Sequence, residues 1–156
     1  MISYQSGVMS DQLAPQALPL VQATWPEVDL LNWLSFVRFF NGETTGPESC
    51  ILVMSDPSGY LCGILAYRLD HNLRDGLMLS IPLFTAVDVA NSLQTVRALL
   101  DIAKARASEL GCAGVQIRMD KVQSKLAARL RSLGLSSEAG LLCAHLRPRA
   151  GLRDAH

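Results

Sequence analysis

The side chains best suited to chemistry in this sequence are its four cysteines and three histidines, and their spacing argues against a joint role. Cys50, Cys62, Cys112 and Cys143 form no C-x-x-C pair, and each lies in an apolar, strand-like stretch. A thiol in such surroundings behaves as a small hydrophobe, so core packing is the expectation for all four. A metal centre needs clustered ligands, and His71, His145 and His156 are scattered along the chain, which predicts that no metal is bound. Reduced thiols fit a cytoplasm. What the remaining side chains can do depends on the elements that position them.

The chain has 156 residues, 49% of them hydrophobic and 18% charged. That is the size of one domain and enough to bury a substantial core. Fourteen basic and fourteen acidic residues cancel. Nucleic-acid binders carry a basic excess because phosphate contacts dominate their affinity, so no nucleic-acid partner is expected. A small basic cluster, Arg147, Arg149 and Arg153, reads as a solvated tail. Met1 to Ser10 lacks the basic-then-apolar pattern of a secretory signal. No apolar run is long enough to span a bilayer. The expectation is one soluble, cytoplasmic α/β domain over residues 1–147, followed by a tail over 148–156, with no membrane contact.

Ile2 to Val8 is a candidate first strand. Ser10-Asp11 signals a helix start, with Pro15 and Pro19 blurring that helix's boundaries. Pro26 suits the first turn of a second helix, whose apolar stripe is Leu30, Trp33, Leu34, Val37 and Phe40, with Gly42 placed to end it. Trp33 to Phe40 is apolar around much of its circumference, which predicts either deep burial or a homodimer face. Cys50 to Ser55 and Tyr60 to Leu69 flank Asp56-Pro57-Ser58-Gly59, a turn tetrapeptide, and predict a β-hairpin. Asp70 to Gly76 reads as a polar connection to a strand at Leu77 to Phe84. Pro82 interrupts that strand. Proline cannot donate to a ladder, so it marks an edge, a bulge or a place where strands part.

Leu93, Val96, Leu100, Ala103, Ala107 and Leu110 repeat at spacings of three and four, one face of an amphipathic helix. Asp88 or Asn91 can cap its start and Gly111 its end. Ala113, Val115, Ile117 and Met119 then alternate with Gly114, Gln116 and Arg118 as a strand. Asp120 with Gln123 forms a capping pattern for a last helix, lined by Val122, Leu126, Leu130 and Leu133 and ended by Gly134. Leu141 to Leu146 closes the chain as a strand. The order is β-α-α-β-β-β-α-β-α-β, hairpins first and helical crossovers later. It predicts a mixed, mostly antiparallel sheet flanked by helices.

This order resembles the GNAT superfamily of acyl-CoA-dependent N-acyltransferases over most of the chain, best from Ile51 to Leu135. Ile51 to Ile64, with Gly63, is similar to the family's second and third strands. Leu79-Ser80-Ile81-Pro82-Leu83 is similar to the fourth, where family members splay two parallel strands apart. Leu99 to Ala103 through Gly111 resembles the long helix after it, and Ser124 to Leu135 the late helix that ends in Gly-Phe. The resemblance implies acetyl-CoA as co-substrate and an amine as acceptor. It implies that the pantetheine arm pairs with backbone groups left open by the splay, around Ile81 and Leu83. The CoA pyrophosphate would sit on N–H groups at the start of the next helix, at Asn91, Ser92, Gln94 and Thr95. Ser124 stands where an asparagine is common. The acceptor would be selected near Trp25, Glu27 and Asp29.

Two departures from the family pattern accompany the resemblance. Aligned on Leu99-Leu100 and Ala103, the phosphate loop is Asn91 to Val96, with Gln94 and Val96 where relatives have glycine. Glycine lets a phosphate approach the backbone closely, and Asp88 near the helix start opposes an anion. Relatives also carry a tyrosine, four residues before the Gly of Gly-Phe, that protonates the leaving thiolate; here that position is Leu130. Ser80, Asp70, His71 and Asp75 lie near the expected acceptor side, but each reads first as a solvated loop residue or a satisfied strand hydroxyl. The catalytic residues therefore stay open. Three functions fit: an acyl-CoA-dependent transferase, a GNAT-like domain that has lost CoA binding and serves in regulation or protein interaction, and an unrelated small-molecule-binding α/β domain.

Overall fold

The computed structural model of the protein describes residues 3–41, 49–87 and 93–146. In chain order its elements are β1 (Gln5–Val8), α1 (Ala14–Thr24), α2 (Leu30–Phe40), β2 (Ser49–Ser55), β3 (Leu61–Asn72) and β4 (Gly76–Ala86). There follow α3 (Leu93–Glu109), β5 (Gly114–Ile117), α4 (Ser124–Ser132), β6 (Ser136–Glu138) and β7 (Leu141–His145). The strands form one seven-stranded sheet in the order β1-β2-β3-β4-β5-β7-β6. All neighbours are antiparallel except β4 and β5. This is the mixed, mostly antiparallel sheet that the element order implies.

The hairpin between β2 and β3 forms as its turn chemistry dictates. The Asp56 carboxylate accepts the N–H groups of Ser58 and Tyr60 at 2.9 and 3.0 Å, and Gly59 takes φ +89°. Two apolar layers then cover the sheet. Beneath α3 and α4 lie Leu52, Met54, Leu79, Ile81, Val96, Leu99, Val115 and Leu130; beneath α1 and α2 lie Ala17, Trp33, Val37, Ile51, Val53, Ile64 and Leu83. The strands between the layers are buried on both faces, which is why β2 to β4 read as long apolar runs.

Several boundaries differ from the sequence reading, each for a local reason. α2 starts at Leu30, because the Asp29 carboxylate accepts the Asn32 N–H at 2.8 Å and caps it there rather than at Pro26. Leu30 is consequently exposed, outside the buried stripe of Trp33, Val37 and Phe40. The helix leaves Leu31 and Phe39 exposed as well. Asp70 to Gly76 is no loop: β3 and β4 stay paired to Asn72 and Gly76. There the Asn72 side chain accepts the Arg74 N–H at 2.9 Å. Val122 is exposed, since Lys121–Gln123 is a short 3-10 turn ahead of α4 and breaks the 3.6-residue period. β6 carries the polar run Ser136–Glu138, which has no alternation to betray it. Gly42, Asp88, Asn91, Ser92, His156 and the arginines of the tail fall outside the described residues.

Candidate functional site

Pro82 lies at the centre of the sheet, where β4 changes partners. Upstream, β4 pairs in parallel with β5 from Met78↔Gly114 to Ile81↔Ile117. The Ile81 carbonyl accepts the Arg118 N–H at 3.0 Å, and β5 has then ended. Downstream, Pro82 to Ala86 continue beside β3 alone. The register between β3 and β4 slips between Ala66 and Arg68, a bulge opposite Pro82. Side-chain parity records it: Leu79 and Ile81 join the layer under α3 and α4, while Leu83 joins the layer under α1 and α2. Among the possibilities for Pro82, the structure combines two, a bulge and a parting of strands.

The parted edge has a definite polarity. Val87 donates its N–H to the Cys62 carbonyl at 2.8 Å, so by alternation the backbone groups of Leu83 and Thr85 face β3 and those of Phe84 face the gap. The Phe84 carbonyl accepts an N–H from the Gln123 carboxamide at 2.8 Å. Gln123 is buried, and its oxygen accepts the Asp120 N–H at 3.2 Å. This is the capping pair legible in the sequence, with an added long-range bond. The Asp120 carboxylate in turn accepts the Trp25 indole N–H at 3.1 Å, a bond that draws its pKa below the usual aspartate value. A continuous polar bridge thus runs from the end of α1 to the free edge of β4.

On the other face of Pro82 lies a cavity of about 320 Å³ between α1, α2 and β4, walled by Val21, Trp25, Val28, Trp33, Phe36 and Leu83, with Asn32 and Pro82 at its sides. Trp33 donates its indole N–H to the Ala14 carbonyl at 2.7 Å and stacks on Phe36 with ring centroids 5.8 Å apart. Thr24 and Thr85 share a hydroxyl hydrogen bond of 3.0 Å, which pins the end of α1 to β4.

The residues expected to contact CoA are distributed around this parting. Ile81 is fully buried and spends its carbonyl on Arg118. Leu83 is buried in the layer under α1 and α2, and its backbone faces β3. Gln94 is exposed on the first turn of α3; Thr95 is buried, with its hydroxyl 3.3 Å from that of Tyr4. Asn91 and Ser92 lie outside the described residues. Ser124 is exposed at the first residue of α4, next to Gln123, and lines a second cleft of about 320 Å³ with Lys121 and Arg131. Val96 points into the core rather than toward the helix end. Leu130, in the position of the relatives' tyrosine, is fully buried in the same layer.

Of the acid–base candidates, Asp70 accepts from the Gln116 carboxamide at 3.4 Å, and Ser80 is the register partner of Gln116. His71 and Asp75 lie farther toward the β3–β4 turn. None of the four lines the apolar cavity. Cys62, Cys112 and Cys143 are buried and Cys50 is half-buried. Burial pushes the Cys62 thiol up to about 11 and raises those of Cys50 and Cys143, so these thiols stay protonated. Among the described residues, no group of three or more His, Cys, Asp or Glu is placed to hold a metal ion, and no helix is long and apolar enough to cross a membrane. Reading the sequence missed Phe84, and saw Gln123 only as a local cap.

No family model and no curated protein matches the sequence; similarity is carried by shape. The aminoglycoside N-acetyltransferase AAC(6')-Iy in complex with CoA superposes with TM-score 0.71 at 9% identity, over 88% of this chain and 90% of that one. A GNAT-family acetyltransferase from Staphylococcus aureus Mu50 matches with TM-score 0.68 at 10% identity, over 93% and 100% of the two chains. A transcriptional regulator from Bacillus halodurans C-125 matches with TM-score 0.66 at 14% identity, over 88% and 95%. With its single β4–β5 parallel pair parting at Pro82, this chain has the GNAT acetyltransferase fold.

Proposed function

We propose that the domain is an acyl-CoA-dependent N-acyltransferase that moves an acetyl group from acetyl-CoA to an amine. The parting of β4 from β5 after Ile81 carries this reading, because it leaves the Phe84 edge open beside the start of α4. The pantetheine amide would pair with that edge in place of the Gln123 carboxamide. The pyrophosphate would sit at the first turn of α3, beside Gln94 and Thr95, where the helix dipole favours an anion. The amine adds to the thioester carbonyl as the C–S bond breaks. The displaced proton reaches the thiolate through water, since Leu130 has none to give. Such a reaction draws mainly on proximity and backbone hydrogen bonds. The CoA complex of AAC(6')-Iy supports the assignment of the donor. The test is thermal unfolding with and without acetyl-CoA or free CoA. A saturable rise in midpoint is expected, since a ligand that binds only the native state must stabilise it; a midpoint that stays put at high CoA concentration would overturn the reading.

Several observations favour a second reading, a GNAT-like domain that has given up CoA and binds a protein partner. Gln123 already supplies an amide to the Phe84 carbonyl, Gln94 and Val96 replace glycines, and Leu130 replaces the tyrosine. A structural neighbour described as a transcriptional regulator is consistent with that alternative. The same melting experiment separates the two.

A further inference from the structure

The cavity beside Pro82 has a wall chemistry that restricts what can occupy it. Trp25, Trp33 and Phe36 supply aromatic surface, and Val21, Val28, Pro82 and Leu83 supply the rest of its apolar lining. Both indole N–H groups are already spent, that of Trp33 on the Ala14 carbonyl and that of Trp25 on Asp120. The rings therefore present only carbon to the cavity. Among the described residues no charged side chain lines it, and the exposed Asn32 carboxamide is the polar side chain on its wall. A polycation brought here would lose water and gain no carboxylate.

We infer that this cavity binds a compact aromatic amine in its uncharged form, with the ring between Trp25, Trp33 and Phe36 and the nitrogen toward Pro82. The inference rests on the acyl-transfer reading for its chemistry, and on the cavity wall alone for its binding. Desolvation penalises an ammonium, so the pocket selects the free base, and no general base is needed to generate it. The nitrogen lone pair adds to the thioester carbonyl carbon, the C–N bond forms and the C–S bond breaks. The proton then leaves the adduct nitrogen for the thiolate or for water. This accounts for the absence of Asp70, His71, Asp75 and Ser80 from the cavity wall. It also separates this site from one built for aminoglycosides, which carry several ammonium groups.

The chain's two tryptophans both line the cavity, so intrinsic fluorescence reports its occupancy without acetyl-CoA. The full chain is titrated with 2-phenylethylamine, kanamycin and spermidine. A saturable fluorescence change is expected for 2-phenylethylamine alone, tightening on the order of a hundredfold between about pH 7 and about pH 9, since the free base of an alkylamine grows about tenfold per pH unit below its pKa. Val28→Phe, which fills the mouth of the cavity, should weaken it by on the order of tenfold or more with an unchanged melting midpoint. If that variant does not fold, the pH series and the kanamycin comparison decide on the native chain. Kanamycin binding as tightly as 2-phenylethylamine, or 2-phenylethylamine binding that ignores pH, would overturn the inference. No response to 2-phenylethylamine in a protein that acetyl-CoA stabilises would also sink it while leaving the transferase reading intact. A response in a protein blind to CoA would do the reverse.

Discussion

The two sides of β4 at Pro82 are built on opposite plans. Toward α1 and α2, the strand borders an apolar cavity whose indole N–H groups are bonded elsewhere, leaving volume to fill. Toward β5 and α4, the strand has an open edge, yet the Phe84 carbonyl is already satisfied by Gln123. An apolar void costs the free protein only lost dispersion contacts, whereas an unpaired buried carbonyl would cost the full loss of its hydration. A fold can therefore leave the first kind of site vacant but must cover the second. On the proposed reading the internal amide marks where the pantetheine amide would fit, and CoA would have to displace it.

Substitutions can break or sharpen this contrast. The largest effect is expected at Trp33, which is 2% exposed and bonds the Ala14 carbonyl. Trp33→Ala should cost about 3–5 kcal/mol in urea unfolding and merge the cavity with the space left behind. A loss under about 1 kcal/mol would mean that the acceptor side is far less rigid than its packing implies. Gln123→Ala comes next: it strands the Phe84 carbonyl and should cost about 1–3 kcal/mol. Acetyl-CoA should stabilise this variant more than the parent, because its amide no longer competes with a tethered one. Equal stabilisation of both proteins would refute the competition.

The smallest effect belongs to Asp120. The Trp25 indole, more than the neighbouring N–H groups, holds its folded pKa below the unfolded value. The stabilisation is thus present above the ordinary aspartate range and fades as pH falls through the lower folded value. Asp120→Asn should erase that acid-side dependence, read as the pH at which Trp25 fluorescence responds. A titration unchanged in the variant would assign the dependence to another group.

Which of these features was legible beforehand follows from their range. The α3 helix, the β2–β3 hairpin and the capping pair at Asp120 and Gln123 are local patterns, and each formed where its residues said, except that Leu93, expected on the buried face, is exposed at the helix start. Pro82 declared an irregularity without saying which. The parity that turns Phe84 rather than Leu83 toward the gap depends on the slip opposite Ala66 and Arg68, which involves a different strand. Nor could the capping pattern disclose that the Gln123 carboxamide reaches a residue 39 positions away. The start of α2 was misplaced because Pro26 and Asp29 both suit a helix start, and only the Asn32 N–H chooses between them.

The bond between Trp25 and Asp120 joins the two sides of β4 that meet at the parting. Trp25 walls the aromatic cavity, while Asp120 anchors the turn that aims Gln123 at the parted edge. A molecule that shifted the indole would relax that turn, and one that displaced the carboxamide would pull on the indole. Thermodynamic linkage then makes the effect symmetric: whatever factor the first ligand imposes on the affinity of the second, the second imposes on the first.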